Sequence, residues 1–214
     1  MTTALFVAAG YLLGSVPFGY WLVRLSKHVD IRQVGSGNIG ASNVWRTYGW
    51  RYGVPVMLLD TAKGFVPALV ATDVAGPLAG VLAGGAAMVG HARPLFLGFT
   101  KGGKTVATAG GTILGVAPVV GLIGAGLWIV IFAVTRYASI ASMVAAASLP
   151  IVAYLLGEPW PVIVFGGAAA AAVIVLHRQN LKRLVAGTES RAVPWRRRLR
   201  DAIARAEPSS GPSR

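Results

Sequence analysis

The sequence predicts an all-α integral membrane protein with seven transmembrane helices, N-terminus outside and C-terminus cytoplasmic, and three observations lead there. Composition is the first: 55% of the 214 residues are hydrophobic, only 13% are charged and the mean hydropathy is +0.64, too apolar for an ordinary soluble domain. The second is a series of apolar runs bounded by charge, Gly or Pro, near 3–25, 53–72, 77–92, 104–117, 119–135, 138–156 and 160–177. The third is the placement of Lys and Arg between those runs. A hydrocarbon core about 30 Å thick needs about 20 helical residues per crossing. The runs therefore fill one membrane domain over 1–192 and leave 193–214 as a basic, partly flexible cytoplasmic tail.

The run at 3–25 has no basic residue ahead of it, so it is expected to stay as a span and not to act as a cleaved leader. The loop behind it carries Lys27, Arg32, Arg46 and Arg51. The loop between 92 and 104 carries Arg93 and Lys101, and the turn after 135 carries Arg136. The alternate connections, around Asp73, Val116 to Pro118 and Glu158, carry none. Short loops rich in Lys and Arg stay in the cytoplasm, and this alternation sets the orientation. Gly80-x-x-x-Gly84 and Gly111-x-x-x-Gly115 offer small faces for close helix contact.

Asp60 and Lys63 fall inside the second run, where an unpartnered charge costs roughly 2.5 to 3.5 kcal/mol. At i and i+3 they share a helix face and can pair, either as a structural ion pair or as part of a site.

Lys and Arg number 20 against 7 Asp and Glu, a net charge of +13 that in a soluble chain would suggest nucleic acid. Here the cations sit between apolar runs and in the tail, so membrane topology and anionic lipid account for them and no nucleic-acid partner is expected. The absence of cysteine excludes disulfides, thiolate metal sites and a thioester-forming nucleophile.

Three polar constellations fall on the predicted cytoplasmic side. In the first, Gly35, Ser36, Gly37, Asn38, Gly40 and Asn43 are followed by Arg46. Glycines let backbone N–H groups converge on an anion, Ser and Asn add hydrogen bonds, and Arg adds a planar charged fork. A flexible polar turn is the plainer alternative. The second runs from His91 through Arg93 to Gly102, Gly103 and Lys104. Gly98, Gly103, Lys104 and Thr105 match the G-x-x-x-x-G-K-[ST] pattern of nucleotide-binding loops. That match is set aside, because such a loop follows a β-strand and this run joins two membrane helices. Glycine amides and a lysine at a helix start still favour an anion over a plain basic turn. The third holds His177 and Asn180, which share a helical face if the helix continues through them, and ends in Gly187-Thr188-Glu189-Ser190-Arg191. The Trp195 to Arg205 cluster of the tail reads as a stop-transfer and lipid contact, not as catalytic.

Taken together, Gly14-Ser15-Val16-Pro17-Phe18-Gly19-Tyr20, the Gly35 to Asn43 loop with Arg46, Leu59-Asp60-x-x-Lys63-Gly64, the Gly-His run ending in Gly102-Gly103-Lys104, and His177-x-x-Asn180 with Gly187 to Arg191 resemble the bacterial acyl-phosphate:glycerol-3-phosphate acyltransferase family. The resemblance covers most of the chain. It implies seven helices in the bacterial cytoplasmic membrane and an active site facing the cytoplasm. The implied reaction transfers a fatty acyl group from acyl phosphate to the 1-hydroxyl of glycerol 3-phosphate. By the same resemblance Ser36, Arg46, Lys104, His177 and Asn180 match positions for substrate binding and catalysis, and Glu189 one that holds the site together. The family pattern Phe-x-Gly-Gly-Lys-Gly departs here, with an extra residue and Thr105 in place of Gly.

The candidate site is therefore Ser36, His177 and Asn180 as catalytic residues, and Gly35, Gly37, Asn38, Gly40, Asn43, Arg46, His91, Gly102, Gly103 and Lys104 as phosphate-binding residues. Asp60, Lys63 and Glu189 are expected to be structural at the site. Neither metal nor cofactor is expected, the partners are the two substrates and membrane lipid, and a monomer would suffice. Direct attack on an activated mixed anhydride needs positioning and charge stabilisation more than a covalent intermediate. None of His28, His91 or His177 has Asp five residues on, which weakens a CoA-thioester reading based on His-x-x-x-x-Asp. A transporter for a phosphorylated metabolite and a lipid-binding scaffold are the rivals from other classes.

Overall fold

The computed structural model describes residues 1–192, so the tail at 193–214, with the lipid contact expected of it, lies outside the described residues. Nine helices follow one another among the described residues: α1 (Thr2–Gly14), α2 (Phe18–Lys27), α3 (Ala41–Tyr48), α4 (Trp50–Ala92), α5 (Val106–Val116), α6 (Pro118–Thr135), α7 (Ala138–Leu155), α8 (Trp160–Leu176) and α9 (Arg178–Val185). Short 3-10 turns stand at Ile31–Gln33 and Leu95–Leu97, and no strand occurs among the described residues.

Every apolar run is helical, and the breaks have local causes. The first run divides at Ser15 to Pro17, because Pro17 has no N–H and disfavours helical backbone in the residue before it. Asp73 stands within α4 and not in the loop expected around it. The chain turns three residues later, at Gly76, whose φ of 82° and ψ of 174° suit only glycine. A methyl added at Gly80 would lie 2.0 Å from Thr72 Oγ1 and 2.9 Å from the Ala68 carbonyl. In a straight helix those residues would be about 12 and 18 Å away along the axis. The two parts of α4, 50–75 and 77–92, therefore form a hairpin.

By length and composition four helical stretches reach membrane-spanning size: Thr2–Lys27, Trp50–Leu97, Pro118–Thr135 and Ala138–Leu155. The pair α8 and α9, bent by 57°, adds a fifth if it counts as one span. Helix α5, at 11 residues, is about 16 Å long and falls short by itself. Leu, Ile and Val are exposed along the outer faces of these helices, as hydrocarbon solvent permits.

Small residues set the packing. A methyl at Gly14 would come 2.1 Å from the Ala87 carbonyl oxygen, so α1 lies directly on the second part of α4. Gly64 meets the Thr108 carbonyl and Gly84 the Thr112 side chain at similar range, which places α5 against both parts of the hairpin. Beyond it Val81, Met88, Ile113, Val120, Leu149 and Phe165 join α4, α5, α6, α7 and α8 in one apolar cluster. This scaffold brings the loops before α3, before α5 and after α8 to one end of the bundle.

Candidate active site

Asn43 builds the first loop. Buried at the start of α3, its Nδ2 donates to the carbonyls of Val34 at 3.0 Å and Asn38 at 2.9 Å, and reaches Ile31 O at 3.4 Å. Its Oδ1 accepts from the Ser36 amide at 2.9 Å. Asn43 is therefore consumed in shaping the loop. The turn passes through left-handed backbone at Gly35 (φ 63°) and Gly37 (φ 69°), and a methyl on Gly35 would sit 2.4 Å from Asn43 Oδ1. Asn38 Oδ1 accepts from the Gly40 amide at 2.8 Å, and its Nδ2 donates to Gly102 O at 3.3 Å, joining the first loop to the second. The Ser36 side chain is exposed on the loop surface. Arg46 Nε donates to Ser42 O at 3.2 Å.

In the second loop the Gly102 and Gly103 amides donate to the carbonyls of Ala92 at 3.0 Å and His91 at 2.9 Å. The loop's cations, Lys104 among them, are then what it offers an anion, while the glycines serve close packing. A methyl on Gly103 would fall 1.8 Å from His91 Nε2 and 2.4 Å from Cε1, so the Nε2 edge of the imidazole abuts that glycine. His91 is buried behind the loop, with Nδ1 3.7 Å from Asp60 Oδ1. Asp60 and Lys63 are buried and paired at 2.9 Å, as their spacing suggests. Thr105 holds a left-handed φ of 60° and its buried hydroxyl has no partner among the described residues.

The third constellation begins where α8 ends. The helix does not continue: the chain bends at His177, which starts α9. His177 Nδ1 lies 2.8 Å from the Val173 carbonyl. A carbonyl only accepts, so Nδ1 carries the proton and Nε2 keeps the lone pair. Asn180 Oδ1 accepts from Lys104 Nζ, and Asn180 Nδ2 donates to Glu189 Oε1 at 2.6 Å. Glu189 also receives Ser139 Oγ at 2.8 Å and Arg183 Nε at 2.7 Å.

These loops meet at a cavity of about 110 Å³ lined by Asn38, Ala92, Arg93, Lys101, Gly103, Lys104, Leu176 and Arg178. That is about the share of three or four liquid waters, room for a phosphate-sized group. Four of the eight lining residues are cations and none is acidic among the described residues. Burial lowers the Lys104 pKa to about 8, helped by repulsion from Arg183, Arg46 and Lys101 and opposed by Glu189. An incoming anion would relieve that repulsion. A larger depression of about 430 Å³, lined by Lys27, Tyr48, Gly49, Trp50, Arg51 and Tyr52, draws on one corner of the chain and on none of the other two constellations.

The comparisons with known proteins show which family the chain belongs to. The family model described as glycerol-3-phosphate acyltransferase matches residues 4–187. The chain belongs to the glycerol-3-phosphate acyltransferase family. The curated glycerol-3-phosphate acyltransferase of Rhodospirillum rubrum is 49% identical over 191 residues, covering 86% of this chain and 88% of that protein. A crystal structure of PlsY (YgiH), an integral membrane glycerol 3-phosphate acyltransferase in its glycerol 3-phosphate form, superposes with a TM-score of 0.87 at 41% identity, covering 92% of this chain and 98% of the other. The lysophosphatidic acid form of PlsY gives 0.84 at 41% identity over 90% and 96% of the two chains. The family membership makes this chain a membrane protein, as its apolar helices require.

Of the residues singled out from sequence, Asn38, Gly103 and Lys104 line the cavity, and Asn180 and Glu189 stand behind Lys104. Ser36 is exposed on the loop that carries Asn38, and Asp60, Lys63 and His91 lie beneath the floor. Arg93, Lys101 and Arg178 line the cavity without having been candidates, since loop cations carry the same signal whether they set topology or bind anions. Ser139, buried on Glu189, was not legible: a serine within an apolar run has no pattern of its own.

Proposed function

We propose that this protein transfers a fatty acyl group from acyl phosphate to the sn-1 hydroxyl of glycerol 3-phosphate, giving lysophosphatidic acid and inorganic phosphate. The observation that carries the reading is the cavity lined by Arg93, Lys101, Lys104 and Arg178 with no acidic residue among its described lining. Each substrate is a phosphate monoester or acyl phosphate dianion, and such a cavity stabilises one in a desolvated setting where charge interactions are strong. The known forms of PlsY with glycerol 3-phosphate and with lysophosphatidic acid support the acceptor and the product.

In this reading the glycerol C1 oxygen attacks the acyl carbonyl carbon. The new ester C–O bond forms, the bond between carbonyl carbon and phosphate oxygen breaks, and inorganic phosphate leaves with the electron pair. The hydroxyl proton passes to His177 Nε2 or to the departing phosphate. Lys104, steered by Asn180, neutralises phosphate charge, and Arg46 and the Ser36 loop support it. Neither a metal nor a covalent intermediate enters this scheme. Exposed apolar faces beside the polar end, such as Leu95, Phe96 and Phe99, suit a chain dissolved in the bilayer.

The same reading sets seven membrane passages: α1 with α2, the two parts of α4, then α5, α6, α7 and α8. The site faces the cytoplasm of a bacterial cell, with the N-terminus outside. Loops with and without Lys or Arg alternate in that order, which supports it.

The test is purified protein in detergent supplied with glycerol 3-phosphate and either palmitoyl phosphate or palmitoyl-CoA, with lysophosphatidic acid and phosphate both measured. Product with the acyl phosphate and none above background with the thioester is expected. Product from the thioester alone would overturn the donor.

A further inference from the structure

Resting on that reading, we infer that Asp60, Lys63 and His91 are positioning residues that set the height and orientation of the Lys104 loop through the contact of the His91 ring and carbonyl with Gly103. Two charges forming a plain structural pair would need only one another. Here Lys63 Nζ has a second bond, 3.0 Å to Val16 O, a carbonyl exposed where the chain breaks between α1 and α2. Asp60 Oδ1, 2.9 Å from that ammonium, also faces His91 Nδ1 at 3.7 Å. His91 Nδ1 makes no hydrogen bond among the described residues, and at 3.7 Å the Asp60 carboxylate is its close charged neighbour. The cluster of three therefore spans the hairpin, since Asp60 and Lys63 stand on the first part of α4 and His91 near the end of the second.

From His91 the contacts run directly to the reacting end of the molecule. Its carbonyl accepts the Gly103 amide at 2.9 Å, and its ring fills the place a Gly103 side chain would take. A methyl on Gly102 would lie 2.1 Å from the same carbonyl, so neither glycine can move toward α4. On the other side Asn38 holds Gly102 O at 3.3 Å. The loop is clamped between Asn38 and His91, and Lys104 is the next residue along. Shifts of about 1 Å in a charge-stabilising group are enough to cost a factor of about 100 in rate. A clamp anchored on a buried ion pair is a means of preventing them.

The experiment is a double-mutant cycle on folded protein in detergent, with acyl phosphate and glycerol 3-phosphate as substrates and thermal unfolding measured in parallel. His91→Ala is expected to lower kcat/KM at least about tenfold, with His91→Gln, which keeps a hydrogen-bonding group of similar length, recovering most of the loss. Lys104→Met is the second single variant. If His91 acts through Lys104, the double variant is no worse than Lys104→Met alone. Losses that multiply, from an active wild type, overturn the positioning role. Should His91→Ala fail to fold, the charge-free pair Asp60→Asn with Lys63→Gln replaces it in the same cycle with the same two outcomes. A wild type that forms no lysophosphatidic acid would instead overturn the functional reading on which the inference rests.

Discussion

Asn180 donates Nδ2 to Glu189 Oε1 at 2.6 Å, and this bond fixes which end of its amide meets Lys104. A carboxylate only accepts, so the amide oxygen must point the other way, toward the ammonium. Ser139 and Arg183 hold the carboxylate in turn. The lysine is thereby aimed by a relay that begins on α7.

Truncating Asn180 removes the acceptor of a charged hydrogen bond, worth about 1.5 to 3 kcal/mol. Asn180→Ala is expected to reduce kcat/KM by about 10- to 100-fold while the protein still extracts and melts as a folded species. Asn180→Asp is not a rescue, because its carboxylate would face Glu189. Steady-state kinetics on the two variants checks both statements.

Burial works against the Glu189 charge, but hydrogen bonds from Asn180, Arg183 and Ser139 hold its pKa below the ordinary value of 4.5. A carboxylate whose folded pKa is depressed contributes stability above its unfolded pKa, lost as pH falls through the folded value. The wild-type melting temperature should therefore drop on acidification below about pH 4.5, and Glu189→Gln should show a shallower drop over that window. Parallel acid melting curves for wild type and variant would contradict this.

Lys104, with a pKa of about 8, loses its charge as pH rises through that value. Since kcat/KM reports groups of the free enzyme, it should fall above about pH 8, whereas kcat, read with anions bound, should hold to higher pH. Lys104→Arg, which stays charged, should lack the alkaline limb whatever its absolute rate.

Thr105 occupies a left-handed backbone position where a non-glycine residue costs roughly 1 to 2 kcal/mol. The resemblance drawn from the sequence implies glycine at this position. Thr105→Gly should be neutral or stabilising in thermal unfolding. Thr108→Gly, in the buried interior of α5, should destabilise: helix propensity alone costs roughly 0.3 kcal/mol, and the space left by the buried side chain adds to it.

Much of the fold was legible because hydrocarbon solvent leaves a strong mark: each long apolar run became helix, and charge marked the connections. The connection at Asp73 shows the limit: the break between the runs at 53–72 and 77–92 was legible, but the chain reverses at one glycine, Gly76, and not in a loop around Asp73. In the site, residue types suited to phosphate pointed to the three loops that converge, but not to the division of labour inside them. Asn43 and the Gly102 and Gly103 amides are absorbed by the loops' own hydrogen bonds, a matter of backbone direction that spacing does not encode. The bend at His177 likewise separates a helix that periodicity alone would run on.

The central claim is that chemistry occurs at the smaller cavity around Lys104 and not in the larger depression around Arg51. The most direct test is the rate of lysophosphatidic acid formation from acyl phosphate, across glycerol 3-phosphate concentrations, for Lys104→Met and Arg51→Met beside the wild type. A loss of about 100-fold or more in kcat/KM for Lys104→Met, about 2.7 kcal/mol, with Arg51→Met within threefold of wild type, is the predicted result. Near-normal rates in Lys104→Met, or a larger loss in Arg51→Met, would contradict it.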